Sequence, residues 1–156
     1  MKKKTIGDLL REHPFFADLE PQVLDVVACC GQNVHFASGE LLGREGQEAS
    51  FFYALRKGRV AIETFVPSRG AVTIETVDAG GVVGWSWLVP PHLWVFDARA
   101  VLPVRAIAFD GQCLRSRCET DAAVGHALLR RFAGLLAERL RATRLRLLDV
   151  YGHAPR

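Results

Sequence analysis

Apolar positions along the chain change their spacing twice, dividing it into three stretches. Up to about residue 31 the spacing is helical. Leu9 and Leu10 suggest a short amphipathic turn ending at His13-Pro14. Glu20-Pro21-Gln22 then opens a second helix, with proline in the first turn, where its missing N–H does no harm. Val23, Leu24, Val26, Val27 and Cys30 carry its apolar face, and Gly31 ends it. From about 32 to 110 the pattern shortens to β-branched and aromatic runs, punctuated by glycine at 39, 43, 46, 58, 70, 80, 81 and 84. Phe51–Leu55 and Val60–Val66 are two such runs; Pro67-Ser68-Arg69-Gly70 is a turn, and Ala71–Val77 returns as the partner strand. The hairpin alternates apolar and polar residues, as a sheet with one wet face should. Ala98–Phe109 reads as two further strands kinked at Pro103. The third stretch, 121–151, reads as one long helix capped by Asp121. Leu129, Phe132, Leu136, Leu140, Thr143, Leu147 and Val150 step by threes and fours along it, and Leu128, Leu135, Ala142 and Leu145 form a second apolar line.

This order predicts a mainly β protein with flanking helices, its short strands closed or sandwiched into one body. At 156 residues the chain is sized for a single domain with a real core. Its 49% hydrophobic and 24% charged content is globular. No apolar run approaches the roughly 20 residues a membrane helix needs. Met1-Lys2-Lys3-Lys4 resembles the basic end of a secretion signal, but charge breaks the segment Ile6 to Glu12, so a cytoplasmic protein is expected. The net charge of +3 is mild. Arginines at 130, 131, 139, 141, 144, 146 and 156 read as a solvated helix face, with nucleic-acid binding the alternative. A helix of about 40 Å would overhang a small β-body, which points to a homodimer through that helix. Cys29-Cys30 and the C-x4-C pair Cys113 and Cys118 lack the spacing of a zinc knuckle or redox motif, so reduced structural thiols are expected.

Particular residues carry a family resemblance. Phe36-Ala37-Ser38-Gly39-Glu40, the run from Glu45-Gly46 to Ala54-Leu55, and Gly58-Arg59-Val60 occur in this order between the helical stretches. The ordered set, from about His13 to Tyr151, resembles the cyclic-nucleotide-binding domain of the CRP/FNR family. That implies a double-stranded β-helix, a jelly-roll-like β-roll, with N-terminal helices at 1–31, the roll at 32–110 and a long C-terminal helix. Glycine has a separate physical reason in such a roll, which reverses its chain every few residues and needs positive φ there.

The resemblance places a ligand cassette at 84–100. Its usual pattern is Gly-Glu followed by Arg-Ser/Thr-Ala, with the glutamate on a ribose hydroxyl and the arginine on the cyclic phosphate. A buried phosphate calls for a guanidinium and oriented N–H donors. Here Gly84 fits, but the glutamate position holds Trp85. Counting back from Arg99-Ala100, the arginine position holds Trp94 and the next Val95. Arg99 lies too far along the strand to substitute, and His92 is a poor replacement for a bidentate fork. All three tryptophans (85, 87 and 94) lie in this cassette. They offer flat faces and N–H donors to an aromatic ligand, or they fill the pocket themselves. The candidate ligand residues are Gly84, Trp85, Ser86, Trp87, His92, Trp94 and Val95. Thr143, in the segment Ala137–Arg144 that resembles the family's C-terminal helix, implies a base contact, and Arg144 beside it a charge offered across a dimer.

The expected function is a non-enzymatic regulatory sensor, of the cyclic-nucleotide-binding type but not binding cAMP in the usual way. Its ligand would be a cyclic nucleotide or an aromatic metabolite, and it would report to an unidentified protein partner. The alternatives are a ligand-free interaction scaffold and a transcription regulator working through a partner. No catalytic constellation, metal set or certain cofactor is evident; His35 and His92 are the available candidates for haem ligation. With no recognition helix after residue 151, direct DNA binding is not expected.

Overall fold

A computed structural model describes residues 2–152. Two short helices come first: α1 (Ile6–Glu12), opened by a reciprocal Thr5–Asp8 capping box, and α2 (Pro21–Cys29), with proline in its first turn. Six strands follow: β1 (Gly31–Phe36), β2 (Leu41–Gly43), β3 (Phe51–Val66), β4 (Gly70–Asp78), β5 (Val82–Val83) and β6 (Asp97–Asp110). All pairings are antiparallel, in the order β1-β6-β3-β4, with β2 added to β6 and β5 to β3. The chain closes with α3 (Gly111–Thr120) and α4 (Ala122–Gly152). This is the β-roll with flanking helices.

The middle of β3 and the end of β6 are apolar on both faces because each face meets a different core. Phe52 and Ala54, with Ile107 and Phe109, pack outward under the helices, against Phe16, Val27, Leu114, Leu128 and Phe132. Tyr53 and Leu55, with Ala106 and Ala108, point into the roll, where Val60, Val83, Trp94 and Val104 meet them. Alternation along one strand thus joins two cores.

Three features differ from the sequence-based expectation. The two strands expected on either side of Pro103 are one, β6. Pro103 falls where β3 slips register, between the pairs Lys57↔Arg105 and Arg59↔Leu102. Proline is tolerated at such a break because no ladder bond is required of it. Gly58 faces it with φ +94°, and a Cβ there would lie 2.3 Å from the Pro103 carbonyl oxygen. β3 likewise runs through what read as two strands.

The second difference is α3, a polar helix where no element was expected, capped by Asp110 through its bond from the Cys113 N–H. Asp121 ends α3 and also accepts from Ala123 N–H at 3.1 Å, so one residue serves both helices. Thirdly, Cys30 and Cys113 form a disulfide joining the end of α2 to α3, whereas reduced thiols were expected. Spacing along the chain says nothing about two cysteines brought together from opposite ends of the roll. Cys29 and Cys118 are free. No helix among the described residues is long and apolar enough to cross a membrane.

His13 ties the lead-in helices to the roll. Its Nδ1 accepts from the Phe15 N–H at 3.2 Å, leaving Nε2 to donate to the Leu55 carbonyl at 3.0 Å. Burial holds this imidazole below its ordinary value of 6.5, against the opposing pull of its carbonyl partners. The folded chain therefore keeps His13 neutral, while the unfolded chain takes up a proton near 6.5. The stability His13 confers is complete above that pH and is lost as pH falls from it towards the lowered folded value. The melting temperature should fall over that range, and His13→Gln should flatten the decline. An equal slope in the variant would assign the acid sensitivity to other groups.

Candidate functional site

The cassette leaves β5 at Gly84, whose φ of +94° turns the chain into a tight bend closed by Leu88 N–H on the Trp85 carbonyl at 3.1 Å. After the cis Pro90-Pro91 bond and His92 (φ +58°), the return limb pairs with the loop before β3. Ala49 N–H donates to the His92 carbonyl at 2.7 Å, Trp94 N–H to Gln47 and Gly46 N–H to Trp94, both at 2.8 Å. Backbone bonds thus hold both limbs. The Trp94 ring, nearly buried, lies over two glycines. A Cβ on Gly43 would come within 2.2 Å of it, and one on Gly84 within 3.0 Å.

Between the cassette, the β3–β4 hairpin and α4 is a cavity of about 220 Å³. Ligand sites for drug-sized molecules run to roughly 300–1,000 Å³, so this one suits a small molecule. Its walls are largely apolar: Ile62, Ile74, Trp85, Trp94, Leu136 and Leu140. Ser86 also lines it. That residue is buried, yet its hydroxyl has no hydrogen-bond partner among the described residues and is open to the cavity. Thr143 lines it too, its hydroxyl donating to the Arg139 carbonyl one turn earlier at 2.8 Å; the oxygen keeps acceptor capacity.

Charge enters the cavity from residues the sequence reading passed over. Arg139 reaches from α4 to donate to the Val82 carbonyl, with its Nε 3.7 Å from the Glu75 carboxylate. Both side chains are mostly buried, at 19% and 23% exposure. Burial lowers the Arg139 pKa and the Glu75 charge works against that, but the guanidinium stays charged. Glu75 faces inward because β4 carries an extra residue there: Glu75 pairs Ile62 and Thr73 pairs Glu63, leaving Ile74 unmatched. Such a bulge re-aims side chains. Arg139 had a usable signal: it stands three residues after Leu136 and four before Thr143, on the helix face that meets the roll. Glu75 had none, since a bulge is invisible in an alternating pattern.

Of the expected ligand residues, Gly84, Trp85, Ser86, Trp94, Val95 and Thr143 come together around this cavity. Trp87, His92 and Arg144 do not line it. Trp87 is wholly buried on the other side of the sheet, stacked on Phe52 at 5.1 Å and met by Phe132 at 5.3 Å. It belongs to the core because the bend that brings Trp85 to the cavity sends its second neighbour the opposite way. His92 has a left-handed backbone, φ +58°, in the loop beyond the cis bond. Arg144 follows Thr143 by one helical position, about 100° round α4, and is exposed. Arg99 is engaged elsewhere, held by the nearly buried Glu63 at 2.7 and 3.3 Å.

Residues 33–121, more than half of the chain, match the family model for the cyclic nucleotide-binding domain. The chain belongs to that family. A solved structure from Geobacter metallireducens GS-15, described as of a cyclic nucleotide-binding protein, is 30% identical over 86% of this chain and 97% of its own, with a TM-score of 0.76. A cyclic nucleotide-binding domain from Methylobacillus flagellatus superposes at 0.81 with 20% identity, covering 92% of this chain and 83% of its own. The sensor domain of the transcriptional regulator DNR from Pseudomonas aeruginosa gives 0.67 with 23% identity over 85% and 89%. Among curated proteins none matches the sequence. The cassette of this chain carries Trp85 and Trp94 where the resemblance led us to expect charge.

The fit of Trp94 against Gly43 makes a quantitative expectation. Trp94→Ala should cost about 3–5 kcal/mol in urea unfolding, as for other large-to-small core changes. Gly43→Ala should also destabilise, because its methyl meets the indole. Together they should cost less than their sum, since removing the ring frees the space the methyl needs. Strict additivity would mean the two do not share that space.

Proposed function

We propose that the chain is a non-catalytic ligand-sensing domain whose cassette cavity takes a small, flat, largely apolar molecule with one hydrogen-bonding edge. The observation that carries this is the cavity itself, walled by Trp85 and Trp94, with the Ser86 hydroxyl unpaired at its surface. Aromatic walls bind aromatic faces, and a few placed polar groups set orientation. On this reading the positions that grip ribose and phosphate elsewhere in the family have become apolar. Arg139 and Thr143 supply the remaining polarity. Arg139 is already balanced by Glu75 and Val82, which favours a neutral or singly charged ligand over a phosphate ester.

The domain would act as a homodimer through α4 and report to a protein partner. Supporting this, the second half of α4 leaves Leu140, Leu145, Leu147, Leu148, Val150 and Tyr151 more than half exposed. A second copy laid along α4 would cover them, and would bring Arg144 towards the neighbouring cavity. The three stretches would form one domain, in the cytoplasm. The alternative is a ligand-free scaffold, favoured by how completely Trp87 and Trp94 are packed.

Intrinsic fluorescence and melting temperature followed against indole, indole-3-acetate, 4-hydroxybenzoate, salicylate and adenine test this reading. A ligand present at about 100 times its Kd should raise stability by about 2.7 kcal/mol. Ser86→Ala and Arg139→Gln should each weaken it by about tenfold, as loss of a placed hydrogen bond does. A flat response across the panel would favour the scaffold.

A further inference from the structure

A second hollow, sharing no lining residue with the cassette cavity, runs along β1 and the bulged stretch of β3 and β6. It is an open groove of about 730 Å³ lined by Asn33–Ser38, Arg56, Lys57 and Pro103–Arg105. Strand register puts three of its side chains in one row: His35 pairs Arg105 across β1 and β6, and Lys57 pairs the same Arg105 across β3 and β6. Directly paired residues project from the same face of a sheet with Cβ atoms about 4.5–5.5 Å apart. All three are exposed, and Arg56 stands beside them, its guanidinium 3.5 Å from the Asn33 amide oxygen.

Among the described residues no carboxylate is paired with this row; Glu12, which lines an adjoining hollow with Arg56, Lys57 and Arg105, is held instead by Lys4 at 2.6 Å. No carboxylate lines the groove, and among the described residues the Lys57 and Arg105 side chains make no ion pair or hydrogen bond. Strand arginines elsewhere do find acids: Arg59 pairs Asp78 and Arg99 pairs Glu63, each at 2.7 Å. Like charges directly opposite one another destabilise a sheet. The free domain carries that cost without a visible return.

We infer that this groove docks an acidic peptide segment from a partner protein. The inference deepens the reading that the domain works through such a partner and is independent of what the cavity binds. Charge complementarity identifies the occupant. The row Lys57–Arg105–His35 and Arg56 ask for carboxylates, and the exposed Pro103 lies beside them, while Val34, Phe36 and Val104 alternate with the row and pack into the roll. A free phosphate would want buried donors, and all four of these side chains are exposed. A single-stranded nucleic acid would want open aromatic faces between the cations, and of the groove's two aromatic rings Phe36 is packed edge-on against Tyr53, leaving only the small His35 imidazole exposed.

Random dodecapeptides displayed on phage, selected on the full chain and counter-selected on the Lys57→Glu/Arg105→Glu variant, test this. The selected peptides should be rich in Asp and Glu. Their affinity should fall roughly tenfold or more in the double variant and weaken as salt is raised. Arg105→Thr should lower peptide affinity and raise the melting temperature, because it relieves the like-charge row. Peptides without an acidic bias, unchanged affinity in the double variant, or a fall in melting temperature for Arg105→Thr would each overturn the proposal. A single-stranded oligonucleotide bound more tightly than the peptides, and released by the double variant, would assign the groove to nucleic acid instead. Loss of peptide binding with cavity ligands still bound, or the reverse, separates the two readings.

Discussion

Trp87 lies almost flat on Phe52, Phe52 on Phe109, and Phe132 meets both Phe52 and Trp87 edge-on, all with ring centroids about 5 Å apart. Those four rings come from β3, β6, the cassette and α4, so one aromatic cluster fixes three parts of the molecule relative to each other. Each ring is fully buried, and aromatic pairs add about 0.5–1.5 kcal/mol beyond the area they remove from water. The arrangement has a cost: the Trp87 indole N–H is buried with no acceptor among the described residues, a penalty of about 1–3 kcal/mol. The Trp87 carbonyl, by contrast, is held by Arg115 at 2.6 Å. The ring's packing outweighs its unpaired N–H.

The cavity follows from that anchor. With Trp87 pinned below the cassette, Trp85 and Ser86 just before it can only face the space beside α4. Arg139 then ties α4 to Val82 and Glu75 at the far wall. An ionic pocket would have to hold its charges apart from water until a ligand arrived, and desolvated charges without partners are costly. Here the cations near the cassette are already paired: Arg139 with Glu75, Arg99 with Glu63. What remains at the cavity surface is aromatic and aliphatic carbon and two hydroxyls. On the proposed reading, recognition there would rest on shape and dispersion more than on charge.

Much of the fold was legible in the sequence. Glycine spacing reported the turns, and the three-and-four spacing of apolar residues reported α4, because both signals are local. What was not legible depends on contacts between distant segments. α3 is polar outside and short, so its pattern carried little period. The bulges opposite Pro103 and at Ile74 shift register without altering composition. Cys30 and Cys113 meet only after the roll has formed. The site divides in the same way: the cassette positions 84–86 and 94–95 and Thr143 were found as segments, while Trp87 was misplaced because a tryptophan two residues along reads the same in sequence whichever way it points. Arg139 was hidden among arginines that do face solvent.

The central claim is that the aromatic cassette has displaced cyclic-nucleotide recognition from this member of the family. Isothermal titration of the full chain with cAMP and cGMP tests it most directly. The account predicts no saturable heat up to millimolar nucleotide. Stoichiometric binding of either nucleotide at micromolar Kd would contradict it, and would mean that Trp85 and Trp94 do not stand where the charged anchors belong.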